Sequence, residues 1–259
     1  MSAGLKETVY DFLRYNMIEP CCGDKKDYVA LITDQSTLQM ISSVCSVHDI
    51  NLAGVGVVLN LKFKRDQMPV SAIYFVNPTP KNVRKICNDF TKKRSMYRKV
   101  HLFFNGHVSG ESMEMIRRNT RLVEKLSTLK EVNIHFFVEE DRVFSLRRAS
   151  LQTMYPISKK RTAKELKDIA KGLASLCLTM NEFPYVRYMK SSECCENIAR
   201  YFNDKIDSKI RKLSDWEYRE KRAILLILDR NYDKVSPLMH EYTYKAMVAD
   251  LLTLDKNFV

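Results

Sequence analysis

Over the first 140 residues, short and almost continuously apolar runs alternate with segments of helical period. No other feature of the chain limits its fold so strongly. Tyr28–Thr33, Val55–Leu59, Ala72–Val76, Val100–Phe104 and Asn133–Val138 each read as a strand buried on both faces. Between them lie helical stretches. Residues 5–17 place Leu5, Val9, Phe12, Leu13 and Met17 on one face, and Ser36–Val47 repeats the pattern. Pro78 and Pro80 open a third helix. A fourth runs through Met115, Asn119, Leu122, Leu126 and Leu129. The alternation predicts an α/β fold: a Rossmann-like, open, parallel five-stranded sheet with helices on both faces. Only 7 glycines and 7 prolines occur in 259 residues, which favours long regular elements.

One connection breaks the rhythm. Asn60–Ser71 is polar and basic, has no helical period, and reads as a long loop on which binding residues would sit. After residue 140 the pattern changes again. Val143–Ser145 reads as a short strand, Thr162–Met180 and Glu193–Leu213 as helices, Ala223–Leu228 as an intensely apolar strand, and Glu241–Leu254 as a helix. We expect a first domain over 1–140 and an incomplete second α/β domain after it. Ala223–Leu228 is apolar throughout, so it calls for cover on both faces and neighbours on both sides. A bare edge there would invite a second copy of the chain.

The net charge of +12 is diffuse: 20 basic and 15 acidic residues in 1–140, 23 and 16 in 141–259. Such an excess suits acidic partners. A nucleic-acid surface needs aromatic residues interleaved with a basic face, and none can be assembled, so no nucleic-acid partner is expected. No apolar run approaches the ~20 residues of a membrane span, and the N-terminus shows no leader. Seven cysteines, an odd number, in a chain too large to need disulfides point to reduced cytosol.

Motifs with chemical meaning are weak. Gly54-Val-Gly56 lacks the third glycine and the strand-to-helix turn of a dinucleotide fingerprint. His240-Glu241 lacks the second histidine of a zinc-protease helix, and the adjacent pairs Cys21-Cys22 and Cys194-Cys195 do not have metal-site spacing. No metal or cofactor is expected. Asp34 and Asp229 each end an apolar strand, where ligands of parallel sheets gather. An α/β enzyme, nucleotide-dependent or hydrolytic, would use Asp34 there; an N-cap is the alternative role. No catalytic constellation accompanies either acid. Arg147-Arg148-Ala149-Ser150 fits a basophilic kinase site at Ser150. Lys92-Lys93-Arg94 and Lys159-Lys160-Arg161 read as solvated charge.

Residues 225–252, LLILDRNYDKVSPLMHEYTYKAMVADLL, resemble a signature stretch of the SM family, the Sec/Munc-type cytosolic partners of syntaxins in SNARE-driven fusion. The match runs through Leu228-Asp229-Arg230, Asp233, Ser236-Pro237, His240-Glu241, Thr243, Ala246-Met247 and Asp250-Leu251-Leu252. Thr33-Asp34-Gln35, Met40–Ser43, Cys45 and Asp49-Ile50 resemble the family's first strand and helix. The His-Glu-x-Thr form and the Asp-Gln strand end resemble the exocytic branch most.

The resemblance implies a non-enzymatic regulator of vesicle docking and fusion. It would bind syntaxin and assembled SNARE proteins, stay cytoplasmic, and meet membranes only through those partners. It implies that 1–140 is SM domain 1, that 141–244 begins domain 2, and that 245–259 begins a domain 3 not completed here. It places a syntaxin cleft at Asp34, Ser42, Ser43, Asp49, Arg65 and Asp66, joined on the basic loop by Lys62 and Lys64. It places a pocket for the syntaxin N-terminal peptide at Met115, Leu126, Leu129 and Glu131. Ser46 and Leu59 depart from a salt-bridge pair of exocytic relatives.

Overall fold

A computed structural model describes residues 4–22, 28–91, 94–147, 159–211, 216 and 220–252. The chain divides into two compact units, residues 1–150 with 171–181, and residues 151–170 with 182–259.

In the first unit, α1 (Leu5–Leu13) buries Leu5, Val9 and Leu13 and continues into a π-helical turn, Arg14–Ile18. Then follow β1 (Val29–Thr33), α2 (Gln35–Ser42), α3 (Val47–Leu52), β2 (Val55–Asn60), β3 (Ser71–Val76) and α4 (Pro80–Asn88). A small hairpin of β4 (Phe90–Thr91) and β5 (Arg94–Ser95) precedes β6 (Val100–Asn105), α5 (Gly110–Arg118), α6 (Thr120–Lys125) and β7 (Leu126–Val132). A second hairpin, β8 (Phe137–Glu140) with β9 (Val143–Ser145), closes the series. The main sheet is parallel, five-stranded and ordered β2-β1-β3-β6-β7, as the alternation predicted.

Period-2 geometry sends alternate side chains of each central strand into two core layers. Val29, Leu31, Ile73, Phe75 and Phe103 meet α1, α2 and α3 on one face. Ala30, Ile32, Tyr74, Val76, Leu102 and Phe104 meet Val83 and Ile86 of α4, Ile116 of α5 and Leu122 of α6 on the other. Burial at every position of β1, β3 and β6 explains their continuous apolar runs.

The fifth strand lies where a helix was expected. Residues 126–132 pair with β6 as an edge strand, and the helical segment ends at Lys125. An edge strand is half exposed, so β7 carries Ser127, Lys130 and Glu131 and has no apolar run. The apolar Asn133–Val138 stretch does not join the sheet. Ile134, Phe136 and Val138 instead fill the first core layer.

Gly54 and Gly56 are steric requirements, which removes the dinucleotide reading. Gly54 has φ +103, and a Cβ there would stand 2.8 Å from Cys22 Sγ; a Cβ on Gly56 would stand 2.9 Å from Tyr28 Cβ.

α7 (Lys159–Thr179) contributes residues 171–179 to the first unit and 159–170 to the second. In the second unit, β10 (Tyr185–Tyr188) pairs in parallel with β11 (Ile224–Ile227), and α8 (Glu193–Ile210) packs against both. Cys195, Ile198, Phe202, Ile206 and Ile210 form the buried stripe of α8, at the expected spacing. α9 (Tyr244–Leu251) follows. β11 is the core of the Ala223–Leu228 run, yet only Ile227 is buried. Leu226 is 58% exposed, and β10 is the sole strand partner of β11 among the described residues.

Candidate functional site

Asp34 follows β1 and caps α2. Its carboxylate accepts from Thr37 N at 2.9 Å, Asn77 N at 2.7 Å, Asn82 Nδ2 at 2.9 Å and Asn77 Nδ2 at 3.1 Å. These donors tie the carboxyl ends of β1 and β3 to the starts of α2 and α4. Among the described residues its side-chain partners are Thr37, Asn77 and Asn82, and no histidine or other general base is among them. The geometry gives Asp34 the N-cap role and leaves the enzyme reading without support. Asp229 behaves alike in the second unit, accepting from Asn231 N at 2.9 Å and from Ser192 Oγ at 2.7 Å. Those bonds hold its pKa below the ordinary carboxylate value. His240 Nδ1 lies 3.0 Å from Asp250. Among the described residues, no group of three or more His, Cys, Asp or Glu side chains is placed to hold a metal ion.

The basic loop after β2 divides by side-chain direction. Lys62, Lys64 and Asp66 are exposed. Arg65 turns inward, with side-chain exposure of 6% against 13% for Asp89, and its Nη2 lies 2.9 Å from Asp89 Oδ2. The Tyr74 hydroxyl donates to the same oxygen at 2.7 Å. Burial opposes the charge on Arg65, but Asp89 and the flanking tyrosines outweigh it and the pKa rises. Burial, then Asp89, pushes the Tyr74 phenol up. Arg65 is therefore the pin that fastens the loop to β3 and the end of α4. Its placement among the steering charges is corrected: a buried, paired guanidinium projects little field into solvent.

Ser42 is exposed at the end of α2, and Ser43 donates to Met40 O at 2.8 Å. Asp49 closes a capping box with Ser46, accepting from Ser46 Oγ at 2.7 Å and Ser46 N at 2.9 Å, bonds that lower its pKa. So Ser46, a departure from the family pattern, is the N-cap of α3. Leu59, the other departure, packs against the second core layer. β1 and β2 are parallel and joined through α2 and α3. Asp34 and the loop therefore stand at the carboxyl end of the sheet, and Ser42, Ser43 and Asp49 toward its amino end. The eight positions do not form one cluster at the carboxyl-end loops: Asp34 and Arg65 are tied to β3 and α4, and Ser42, Ser43 and Asp49 lie toward the other end of the sheet from Lys62, Lys64 and Asp66. Val47 and Leu52 on α3 and Phe63 on the loop add exposed apolar side chains. Sequence reading missed them because a helix of six residues is too short to show which face is buried.

The other predicted set does converge. Leu126 pairs with Val100, Leu129 with Leu102 and Glu131 with Phe104, while a bulge at Ser127 takes up the odd residue. Val100, Leu102 and Phe104 all face the second core layer. Leu126, Leu129 and Glu131 therefore share one face of the edge strand despite their uneven spacing. Met115 of α5 is half-buried on the same layer as Leu126 and Leu129. Glu131 Oε1 accepts from Val108 N at 3.1 Å and lies 3.0 Å from His107 Nδ1. Met115 also lines an open cleft of about 620 Å³ with Cys87, Phe90, Asn119, Arg118 and Arg121. Burial pushes the Cys87 thiol up, which argues against a reactive cysteine there. Half-buried apolar side chains beside a rim carboxylate suit a short peptide with an apolar anchor and a basic residue. Ser150 lies outside the described residues.

The model of the Sec1 family matches residues 29–259. The chain is 32% identical over 262 residues to "Protein transport protein sec1" of Dictyostelium discoideum, covering 99% of this chain and 44% of that protein. It is 30% identical over 250 residues to the "SNARE-interacting protein KEULE" of Arabidopsis thaliana, covering 90% and 37%. Among solved structures, the Unc18–syntaxin 1 complex from Monosiga brevicollis superposes with a TM-score of 0.86 at 31% identity, covering 98% of this chain and 44% of that one. Sly1p in complex with an N-terminal peptide of Sed5p superposes with a TM-score of 0.85 at 25% identity, covering 99% and 46%. The chain spans about two fifths of the length of the curated relatives it matches.

Proposed function

The chain belongs to the Sec1 family, and from that premise we propose that it binds syntaxin-type SNARE proteins and regulates vesicle docking and fusion, including exocytosis, without enzymatic chemistry. The observation that carries this reading is the convergence of Met115, Leu126, Leu129 and Glu131 on one side of edge strand β7. A similar protein was solved with an N-terminal peptide of Sed5p, and another with syntaxin 1. The apolar trio would seat the anchor of such a peptide, and Glu131 would meet a basic residue at the rim. Ser42, Ser43, Asp49, Lys62, Lys64 and Asp66 would form one wall against a SNARE helical bundle. Asp34 and Arg65 would shape that wall from within. Ser150 would be a phosphorylation site.

The structural role of Asp34 supports a non-enzymatic reading. No helix among the described residues is long and apolar enough to cross a membrane, which accords with a cytoplasmic protein that reaches membranes through SNARE partners. Residues 141–244 would begin the family's second domain and 245–259 its third, with a second copy pairing at β11.

The deciding experiment is an NMR titration of the full chain with a syntaxin N-terminal peptide. Saturable shifts are expected at Met115, Leu126, Leu129 and Glu131. Shifts confined to the opposite face of the sheet would overturn the placement.

A further inference from the structure

At the amino end of the sheet, β1, β3, β6 and β7 begin around a half-open pocket of about 230 Å³, lined by Cys21, Ser71, Arg98, Lys99, His101 and Ser127 among others. Three nitrogen-bearing side chains and two hydroxyls thus meet there, and among the described residues no carboxylate lines the pocket. His101 Nδ1 is 3.0 Å from Thr128 Oγ1, so Nε2 is the ring atom left for the pocket. Lys130 is near enough to act electrostatically on the Cys21 thiol and adds a third cation to Arg98 and Lys99. Burial pushes that thiol up to about 12, so Cys21 contributes no negative charge at neutral pH. The pocket is smaller than the ~300–1,000 Å³ usual for organic ligands, which favours a compact anion.

We propose that this pocket binds a phosphate monoester, held by Lys99, Arg98 and His101 Nε2, with the Ser71 and Ser127 hydroxyls donating to its remaining oxygens. The residue types suit the anion. An ammonium supplies a point charge, a guanidinium a fork of donors, and hydroxyls complete the shell. Arg98 and Lys99 are exposed at the mouth of the pocket and make the local field there positive, which attracts an anion. The site is distinct from both proposed SNARE surfaces, and its ligand is either a lipid headgroup or a soluble phosphate ester.

Both sources are tested on the full chain. Titration with inorganic phosphate at constant ionic strength is followed by NMR. Saturable shifts are expected at Ser71, Lys99, His101 and Ser127. Lys99→Glu should weaken binding at least about tenfold, the loss of one charge-assisted contact. Ser127→Glu, which sets a carboxylate at the exposed rim and removes no cation, should do the same and serves if the first variant fails to fold. Sedimentation with phosphatidylcholine vesicles, with and without phosphatidic acid, separates the sources. Phosphatidic-acid-dependent binding that Lys99→Glu abolishes identifies a headgroup; phosphate binding without vesicle binding identifies a soluble ester. Shifts that never saturate, or that persist unchanged in both variants, would overturn the site and assign any attraction to the diffuse net charge.

Discussion

Two neighbouring cations, Lys64 and Arg65, look alike in the sequence and differ completely in the fold. What separates them is Asp89, 24 residues away, and Tyr74, which together build a buried partner for one and not the other. No local pattern announces such a pair, so the direction of Arg65 was not legible. Arg65→Ala leaves the largely buried Asp89 carboxylate without its cation and with the Tyr74 hydroxyl as a neutral donor, and should cost about 3–5 kcal/mol in urea unfolding. Lys64→Glu should change stability by no more than about 0.5 kcal/mol yet reduce the salt dependence of SNARE association. An Arg65→Ala variant of near-normal stability would remove the pin from the framework. His101 offers a second test. Burial, then the Lys99 charge, lowers its pKa below the usual 6.5. The unfolded chain then binds the proton more readily than the folded one. The stability linked to this group is complete above about pH 6.5 and is lost as pH falls through the folded pKa. His101→Gln should flatten the acid limb of the Tm–pH curve below about pH 6.5. Superimposable acid limbs would show that the ring's protonation is not linked to folding.

The apolar runs that became β1, β3 and β6 were readable because strands inside a parallel sheet are shaped mainly by burial, and β2, the other edge strand, was readable because its own run is apolar although only Val55 is buried. The edge strand β7 obeys a weaker constraint. Leu122, Leu126 and Leu129 fit a helical period, and the half-exposed Leu126–Val132 reads as polar, so sequence alone extended a helix through it. Leu126, Leu129 and Glu131, proposed for the peptide site, nonetheless share one face of the strand. The bulge reconciles the two facts: Leu126 and Leu129 sit three apart and still point the same way because Ser127 is an extra residue. Deleting Ser127 should therefore regularise the ladder, keep both leucines on the second core layer, and change peptide affinity little. Deleting Lys130 moves Glu131 into register with Phe103, on the opposite face. It should lower the Tm and remove the rim charge, which contributes about 0.2–1 kcal/mol to binding a basic residue. Equal peptide affinities in the two deletion variants would refute the shared-face assignment.

For the whole molecule, the division of labour between units follows from how completely each covers its strands. In the first unit, the central strands are paired on both sides and buried on both faces, so their amides should exchange only in large-scale opening. In the second, β10 and β11 form a two-stranded sheet, and Ile224, Leu226 and Leu228 are more than half exposed. Two strands alone are marginally stable in water. The apolar composition of β11, which predicted cover on both faces, thus meets a unit that covers one. An apolar edge with no further strand partner among the described residues templates pairing with another chain, and the concentration that always accompanies the protein is that of its own copies. We therefore expect concentration-dependent self-association in analytical ultracentrifugation, with slowed exchange of the β11 amides as dimer accumulates. Leu226→Lys, which sets a charge on the open face, should abolish the association and leave exchange in β1, β3 and β6 unchanged. A chain that stays monomeric at every concentration, with β11 amides as protected as those of β3, would show that this edge is already satisfied.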